Sequence, residues 1–265
     1  MKQNISANAL FHFTNSYERL ISILSNNFSP RYCTENMSII VDDYNEYSYN
    51  EVAIPMVCFC DITLSQIANH TAVYGSYGIG LTKEWGIKNG LNPILYSLKD
   101  SIATVNFKAI KNYSSDMKKN KKLNPDSLVG KVTVNINNFS RFIKPYEGIG
   151  KNNKKVTYYN EREWRYITSV ENLRDINLPT ALFGFNFETK KKFEYDLKKK
   201  NEKLSNSDHL EFSPEDIKYI IVEEETDIIR IFQDLRRIKG EKYSYNDVTK
   251  LTTRIMTHNQ ILEDF

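Results

Sequence analysis

Glycine is scarce in this chain: ten in 265 residues, against 17 tyrosines and 14 phenylalanines. That balance supplies aromatic bulk for a core and little material for flexible loops. Cysteine is scarcer still. Cys33, Cys58 and Cys60 are odd in number and thinly spread, which excludes a disulfide framework and fits a reducing compartment. No apolar run approaches the roughly 20 residues that cross a bilayer. Met1 to Asn8 has neither an apolar targeting core nor a cleavage-like site. The expectation is a cytoplasmic protein with no membrane partner. Excess charge of one sign is also missing: the net formal charge is +3. That argues against an obligate nucleic-acid binder and leaves room for a local basic patch. Neither Gly-x-Gly-x-x-Gly nor Gly-Lys-Ser/Thr occurs, so the usual dinucleotide and P-loop fingerprints are excluded.

What is present is ordinary globular material, 40% apolar and 26% charged. Leu10 to Thr14 reads as a strand. Ser16 or Asn15 then caps a helix carrying Tyr17, Leu20, Ile21 and Leu24, which Asn26-Asn27 terminates. Phe28 to Tyr32 reads as a return strand and Thr34 to Asn50 as a polar loop. Val52 to Ile62, apolar on both faces, reads as a strand buried on both sides. Thr63 to Tyr74 is predicted helical, Tyr77 to Leu81 a strand, Lys83 to Lys88 a helical turn and Ile94 to Ser97 a strand. Leu98 to Met117 follows as a helix.

Lys118 to Ser127 reads as an exposed linker. Lys131 to Ile136, Phe139 to Ile143 and Val156 to Thr168 read as strands, with a loop from Gly148 to Lys155. Ala181 to Phe187 and Ile217 to Val222 are further strands. Glu188 to Leu204, Thr226 to Ile238 and Tyr245 to Phe265 carry helical patterning. The irregular mixture indicates an α+β class: one domain over 1–265, with a linker near 118–127 and a helical extension over 225–265.

Three constellations could carry chemistry. In Glu161-Arg162-Glu163-Trp164-Arg165-Tyr166, strand alternation puts Glu161, Glu163 and Arg165 on one face. Two like charges on one face cost stability unless a cation or a ligand compensates. The bland alternative is a solvated edge paired to Arg162, Arg165 or the lysines at 151, 154 and 155. In Leu10-Phe11-His12-Phe13-Thr14 the histidine faces away from the two phenylalanines; its bland reading is an imidazole satisfied by a backbone carbonyl. In Tyr74 to Leu81 the glycines allow a backbone or a flat ligand to approach closely. Cys58 and Cys60 read as small buried hydrophobes rather than half a metal site, and no metal ligands are assigned.

A strand His, a Tyr beside glycines and a late Glu, in that order, resemble the His-Tyr-Glu arrangement of ADP-ribosyltransferases. Phe11-His12-Phe13-Thr14 also resembles the opening of bacterial enzymes that use NAD to modify nucleic acid. A wider resemblance rests on five blocks: Phe11-His12-Phe13-Thr14, Ile54 to Asp61, Tyr77 to Leu81, Lys83-Glu84-Trp85-Gly86 and Glu161 to Tyr166. These are similar to the AbiGi family of abortive phage-resistance proteins. That resemblance implies a role in phage defence, with an antitoxin label and a nucleotidyltransferase-like partner.

The remoter resemblance implies an ADP-ribosyltransferase-like mixed sheet core with flanking helices, and NAD as substrate, its ADP-ribose transferred to a macromolecule or the NAD hydrolysed by a glycohydrolase activity. Nicotinamide leaves NAD as a neutral molecule and needs no general acid. The ribose becomes oxocarbenium-like, and a carboxylate stabilises it electrostatically. On this reading Glu163 is that carboxylate, and Glu161 orients or deprotonates a nucleic-acid or protein acceptor. His12, with Thr14 nearby, holds the adenosine ribose, Tyr74 or Tyr77 stacks on nicotinamide, and Arg31 meets a phosphate. The expectation of another class is a non-catalytic antitoxin or regulatory binding partner that restrains or activates a nucleotidyltransferase-like toxin.

Overall fold

The computed structural model describes residues 7–37, 39–40, 51–120, 127–150, 154–184, 189–240 and 242–264. In chain order the elements begin with β1 (Ala9–Thr14), α1 (Tyr17–Asn26), β2 (Arg31–Asn36) and β3 (Glu51–Cys60). A 3-10 turn (Leu64–Gln66), α2 (Ala68–Tyr74), β4 (Tyr77–Thr82) and α3 (Lys83–Lys88) follow. Next come β5 (Asn92–Pro93), β6 (Leu95–Ser97), α4 (Ile102–Asn120), α5 (Leu128–Ser140), β7 (Ile143–Pro145), β8 (Gly148–Ile149) and β9 (Lys155–Val156). A second 3-10 turn (Tyr158–Glu161) leads into β10 (Glu163–Ile167), α6 (Val170–Asp175), β11 (Leu182–Phe183) and α7 (Lys190–Ser205). The chain closes with β12 (Ile217–Val222), α8 (Thr226–Lys239), α9 (Tyr245–Thr252), β13 (Ile255–Thr257) and α10 (His258–Asp264).

One mixed sheet dominates, in the order β13-β12-β4-β1-β3-β10-β5, with β2 and β11 also on β3. Its pairings are antiparallel except that of β12 with β13. Both faces are covered, as an α+β layer arrangement requires. On one face Leu10, Phe59, Ile79 and Ile220 pack under α1, α3, α8 and α9, with Leu20, Trp85, Leu235 and Leu251 buried there. On the other, Phe11, Phe13 and Ile221 meet Ile67 and Ile261. The alternation of β1 therefore separates His12 from Phe11 and Phe13 as its sequence implies.

Local chemistry fixes the ends of α1. Ser16 Oγ accepts from the Arg19 amide at 3.3 Å, and Asn27 takes the left-handed φ of 66° that stops the helix. The glycines of β4 do not leave room for a ligand. A Cβ at Gly78 would lie 2.7 Å from the Phe13 ring, and one at Gly80 2.8 Å from the Phe11 ring. The flat groups that approach this strand are the protein's own.

Several predicted elements differ. Lys131 to Ile136, expected as a strand, lies within α5, where Ser127 caps the helix by accepting from the Gly130 amide. The strand predicted over Phe28 to Tyr32 begins later and runs through Arg31–Asn36 into the expected loop; positions 41–50 of that loop lie outside the described residues. Val156 to Thr168 is broken by the 3-10 turn. Tyr245 to Phe265 is two helices with β13 between them. Helix α4 extends to Asn120, and positions 121–126 lie outside the described residues. Among the described residues no helix is long and apolar enough to cross a membrane.

Candidate functional site

A cleft of about 780 Å³ opens where the sheet is incomplete. Strands β1 and β2 share one edge of β3. β1 pairs with it only at Phe11–Cys60, and β2 takes over from Met56 onward. Between those points the backbone of β3 has no strand partner on that edge. His12 fills part of the gap. Its Nδ1 lies 2.8 Å from the Cys58 carbonyl, a bond that requires the proton on Nδ1 and leaves Nε2 as an acceptor. Burial lowers the imidazole pKa despite that bond, so the ring is neutral at pH 7. Phe28 and Phe59 flank it at 5.2 and 5.7 Å.

The cleft floor is ionic. Lys144 on β7 donates from Nζ to Glu161 Oε2 and to Glu163 Oε2, both at 2.8 Å. Arg165 Nε donates to Glu163 Oε1 at 2.5 Å, its Nη1 to the Arg141 carbonyl at 2.9 Å, and its Nη2 stands 3.1 Å from Glu35 Oε1. Tyr74 Oη donates to Glu161 Oε1 at 3.2 Å, and the Glu163 amide donates to Tyr96 Oη at 2.9 Å. Glu163 is 5% exposed and Arg165 fully buried. Burial pushes the Glu163 carboxyl up, but the Arg165 and Lys144 charges outweigh it and hold the pKa at about 2. Burial likewise works against the Lys144 ammonium, and Glu163, Glu35 and Glu161 together raise it above the ordinary lysine value.

Six of the seven residues singled out in the sequence line this one cleft: His12, Thr14, Arg31, Tyr74, Glu161 and Glu163. Tyr77 does not. Its hydroxyl donates to Asp227 at 3.0 Å and its ring meets Tyr17 edge-on at 6.0 Å, so it braces α1 and α8 and is corrected as a stacking candidate. Tyr74 already carries the His70 ring, 4.4 Å away. Arg31 is exposed at the mouth and makes no ion pair among the described residues.

The shared strand face expected for the acids also needs correction. Glu161 ends the 3-10 turn, and Arg162 adopts a left-handed φ of 44° before β10 begins. The two carboxylates meet through Lys144 instead of through strand alternation. Lys144, Glu35, Tyr96 and His70 were not legible as site residues. The one available signal for Lys144 was the need of two neighbouring acids for a cation.

Chemically, the floor is a preformed pentad of three acids and two bases with net charge −1. Both Glu163 oxygens are engaged, and its lowered pKa makes it a poor proton acceptor at neutral pH.

The profile of the family described as "Putative abortive phage resistance protein AbiGi, antitoxin" matches residues 26–223. A curated relative, the "Abortive phage resistance protein AbiGi" of Lactococcus lactis subsp. cremoris, is 29% identical over 254 residues, covering 90% of this chain and 99% of that protein. No solved structure matches the chain. The family match spans well over half of the sequence, including the cleft residues from Arg31 to Glu163, and the chain belongs to the AbiGi family of abortive phage resistance proteins.

Proposed function

We propose that this protein acts in phage defence as a cytoplasmic antitoxin that binds and restrains a nucleotidyltransferase-like toxin, without turning over a substrate of its own. The family description supplies the antitoxin role. One observation carries the non-catalytic part: Glu163 is closed by Arg165 at 2.5 Å and by Lys144 at 2.8 Å. A carboxylate that stabilises an oxocarbenium needs an oxygen free to face the sugar. Here both oxygens face cations, and the Lys144 ammonium would sit beside the developing positive charge and oppose it.

A second reading, an ADP-ribosyltransferase-like core that transfers ADP-ribose from NAD to a nucleic acid or protein, is favoured by a different observation. The imidazole of His12, the phenol of Tyr74 and the carboxylates of Glu161 and Glu163 line a single cavity of about 780 Å³, within the size range of cofactor sites. On that reading NAD enters with its phosphates toward Arg31.

The two readings separate in one experiment. The purified protein, alone and with its toxin partner, is incubated with NAD while toxin activity and NAD loss are followed. The antitoxin reading expects toxin activity to fall and NAD to persist at the level seen with Glu163→Gln. NAD loss by wild type that disappears in a Glu163→Gln variant of equal thermal stability would refute the non-catalytic proposal.

A further inference from the structure

Charge is unevenly shared in this chain. Helix α7 holds seven lysines and three acids, a net +4, while the whole chain carries only +3, so everything outside α7 is net negative. The lysines are also sorted within the helix. At 100° per residue, Lys191, Lys192, Lys198, Lys199 and Lys203 fall within about 140° of arc and about 18 Å of axis, and all five are exposed. Glu202 is the one acid on that arc. The opposite side carries Phe193, Leu197 and Leu204, packed with Tyr32, Ala53 and Leu173. Asn201 Oδ1 accepts from the Tyr32 amide at 2.7 Å, which holds the helix along β2 with the lysines turned out. Leu197 lines the cleft, so α7 runs beside the mouth where Arg31 stands.

This sorting does not serve the helix. Lys190, Lys191 and Lys192 fill a first turn that has no acid, where the positive end of the helix dipole opposes them. Lys199 and Lys203 are like charges four residues apart, a pair that destabilises. Lys200 is paired with Asp196 at 3.0 Å, but Lys191, Lys198, Lys199 and Lys203 have no ion pair among the described residues. An anion supplied from outside would relieve these costs.

Tyr195 stands at the middle of the same arc, 62% exposed, with the Lys199 ammonium over its ring at 4.6 Å. Cations around an exposed flat ring suit a single nucleic-acid strand, whose phosphates meet the cations while a base stacks on the ring. Other occupants fit worse. Protein interfaces are depleted of lysine and rely on apolar anchors, and this arc has no aliphatic residue. A helix that lies on a membrane needs an outward apolar face, and the apolar face of α7 is turned into the protein. A duplex keeps its bases stacked on one another and leaves Tyr195 unused. We infer that the outer face of α7 binds a single-stranded polynucleotide through its phosphates, with a base stacked on Tyr195 and no reading of sequence. This goes beyond the antitoxin reading and does not depend on it.

The test uses the full-length protein and labelled oligonucleotides of about 15 residues, as a dT strand, a U strand and a DNA duplex. Binding is followed by fluorescence anisotropy from about 50 to 200 mM salt. Five lysine contacts give log K a slope against log salt of about −3.5 for a single strand. Lys191→Gln/Lys199→Gln/Lys203→Gln should flatten that slope by about 2 and weaken binding at least about tenfold at the low-salt end. Tyr195→Ser should weaken it about fivefold or more, while Tyr195→Phe, which keeps the ring, binds as wild type. Lys88→Gln/Lys99→Gln/Lys131→Gln removes the same charge from exposed positions elsewhere and should bind as wild type. Every substituted side chain is exposed, so thermal melts should match that of wild type.

No binding of either strand by wild type at the low-salt end overturns the inference. So does equal weakening by the two triple variants, duplex binding as tight as that of a single strand, or binding of only one of the dT and U strands. Oligonucleotide binding that survives the α7 triple variant while toxin binding is lost overturns it too, and assigns this face to the toxin.

Discussion

Replacing Lys144 by Met asks how much the cleft floor depends on one ammonium. Lys144 is 8% exposed and bonds two carboxylates at 2.8 Å each. With an effective dielectric of about 20, each contact is worth about 6 kcal/mol of gross attraction. Desolvation of the ammonium and repulsion between the carboxylates offset most of it. Removing one partner from a buried ion group typically costs about 3–5 kcal/mol, and the methionine stem retains most of the packing. The expected loss at pH 7 is therefore about 3 kcal/mol or more, read by urea denaturation.

Its pH dependence is the sharper test. In wild type the Glu163 pKa is about 2 when folded, against an ordinary glutamate value near 4.3 unfolded. A depressed carboxyl stabilises the fold above the unfolded pKa and loses that contribution as pH falls to the folded one. The shift corresponds to about 3 kcal/mol. Without Lys144 the folded pKa rises, so the acid-dependent part of the wild-type advantage disappears. The gap between wild type and Lys144→Met should thus be wide above pH 5 and narrow between about pH 4 and 2. A loss below about 1 kcal/mol at pH 7, or a gap of constant size across that range, would refute the ion-floor argument.

Three further outcomes follow from packing. Gly75→Ala should destabilise by several kcal/mol in thermal melts, because Gly75 has φ 106° and a Cβ there would lie 2.4 Å from Asn15 Cα and Thr14 O; an unchanged melt would show that the α2–β4 turn can relax. Phe28→Ala should cost about 3–5 kcal/mol, since its ring contacts His12, Phe59, Trp85 and Phe212. It should also alter the His12 proton resonances, and wild-type resonances would sink the claim that this cluster holds the imidazole. Burial pushes the Cys33 thiol up to about 11 and raises Cys58 and Cys60 as well, so native protein at pH 8 should react slowly with a thiol reagent and unfolded protein fast. Rapid labelling of the native state would contradict that burial.

The parts of this fold governed by local rules were legible. The Ser16 cap, the apolar spacing of α1, the two-sided apolar run of β3 and the alternation of β1 each have one physical solution, and the structure adopts it. The convergence of His12, Tyr74 and Glu163 on one cleft could be anticipated only as an ordered set of residue types. The feature that decides the chemistry of that cleft could not. Lys144 lies 17 and 19 residues before its two carboxylates, and its placement depends on β7 pairing with β6 across an inserted hairpin.

The misassignment of Lys131 to Ile136 has a physical cause. Val132, Val134 and Ile136 alternate with Lys131, Thr133 and Asn135, a period-2 pattern of β-branched residues that reads as a strand. A helix ordinarily betrays itself by an apolar stripe at the spacing of its buried face. In α5 the inner side carries Gly130, Thr133 and Ser140, residues that give no such stripe, while Leu128 and Val132 are exposed and the half-exposed Phe139 meets the Phe107 ring of α4 at 5.7 Å. The helical period was present, at 128, 132 and 139, but on residues that stay largely exposed. A sequence reading that assumes apolar means inward fails on such a helix, where the alternation of β-branched residues is the stronger local signal.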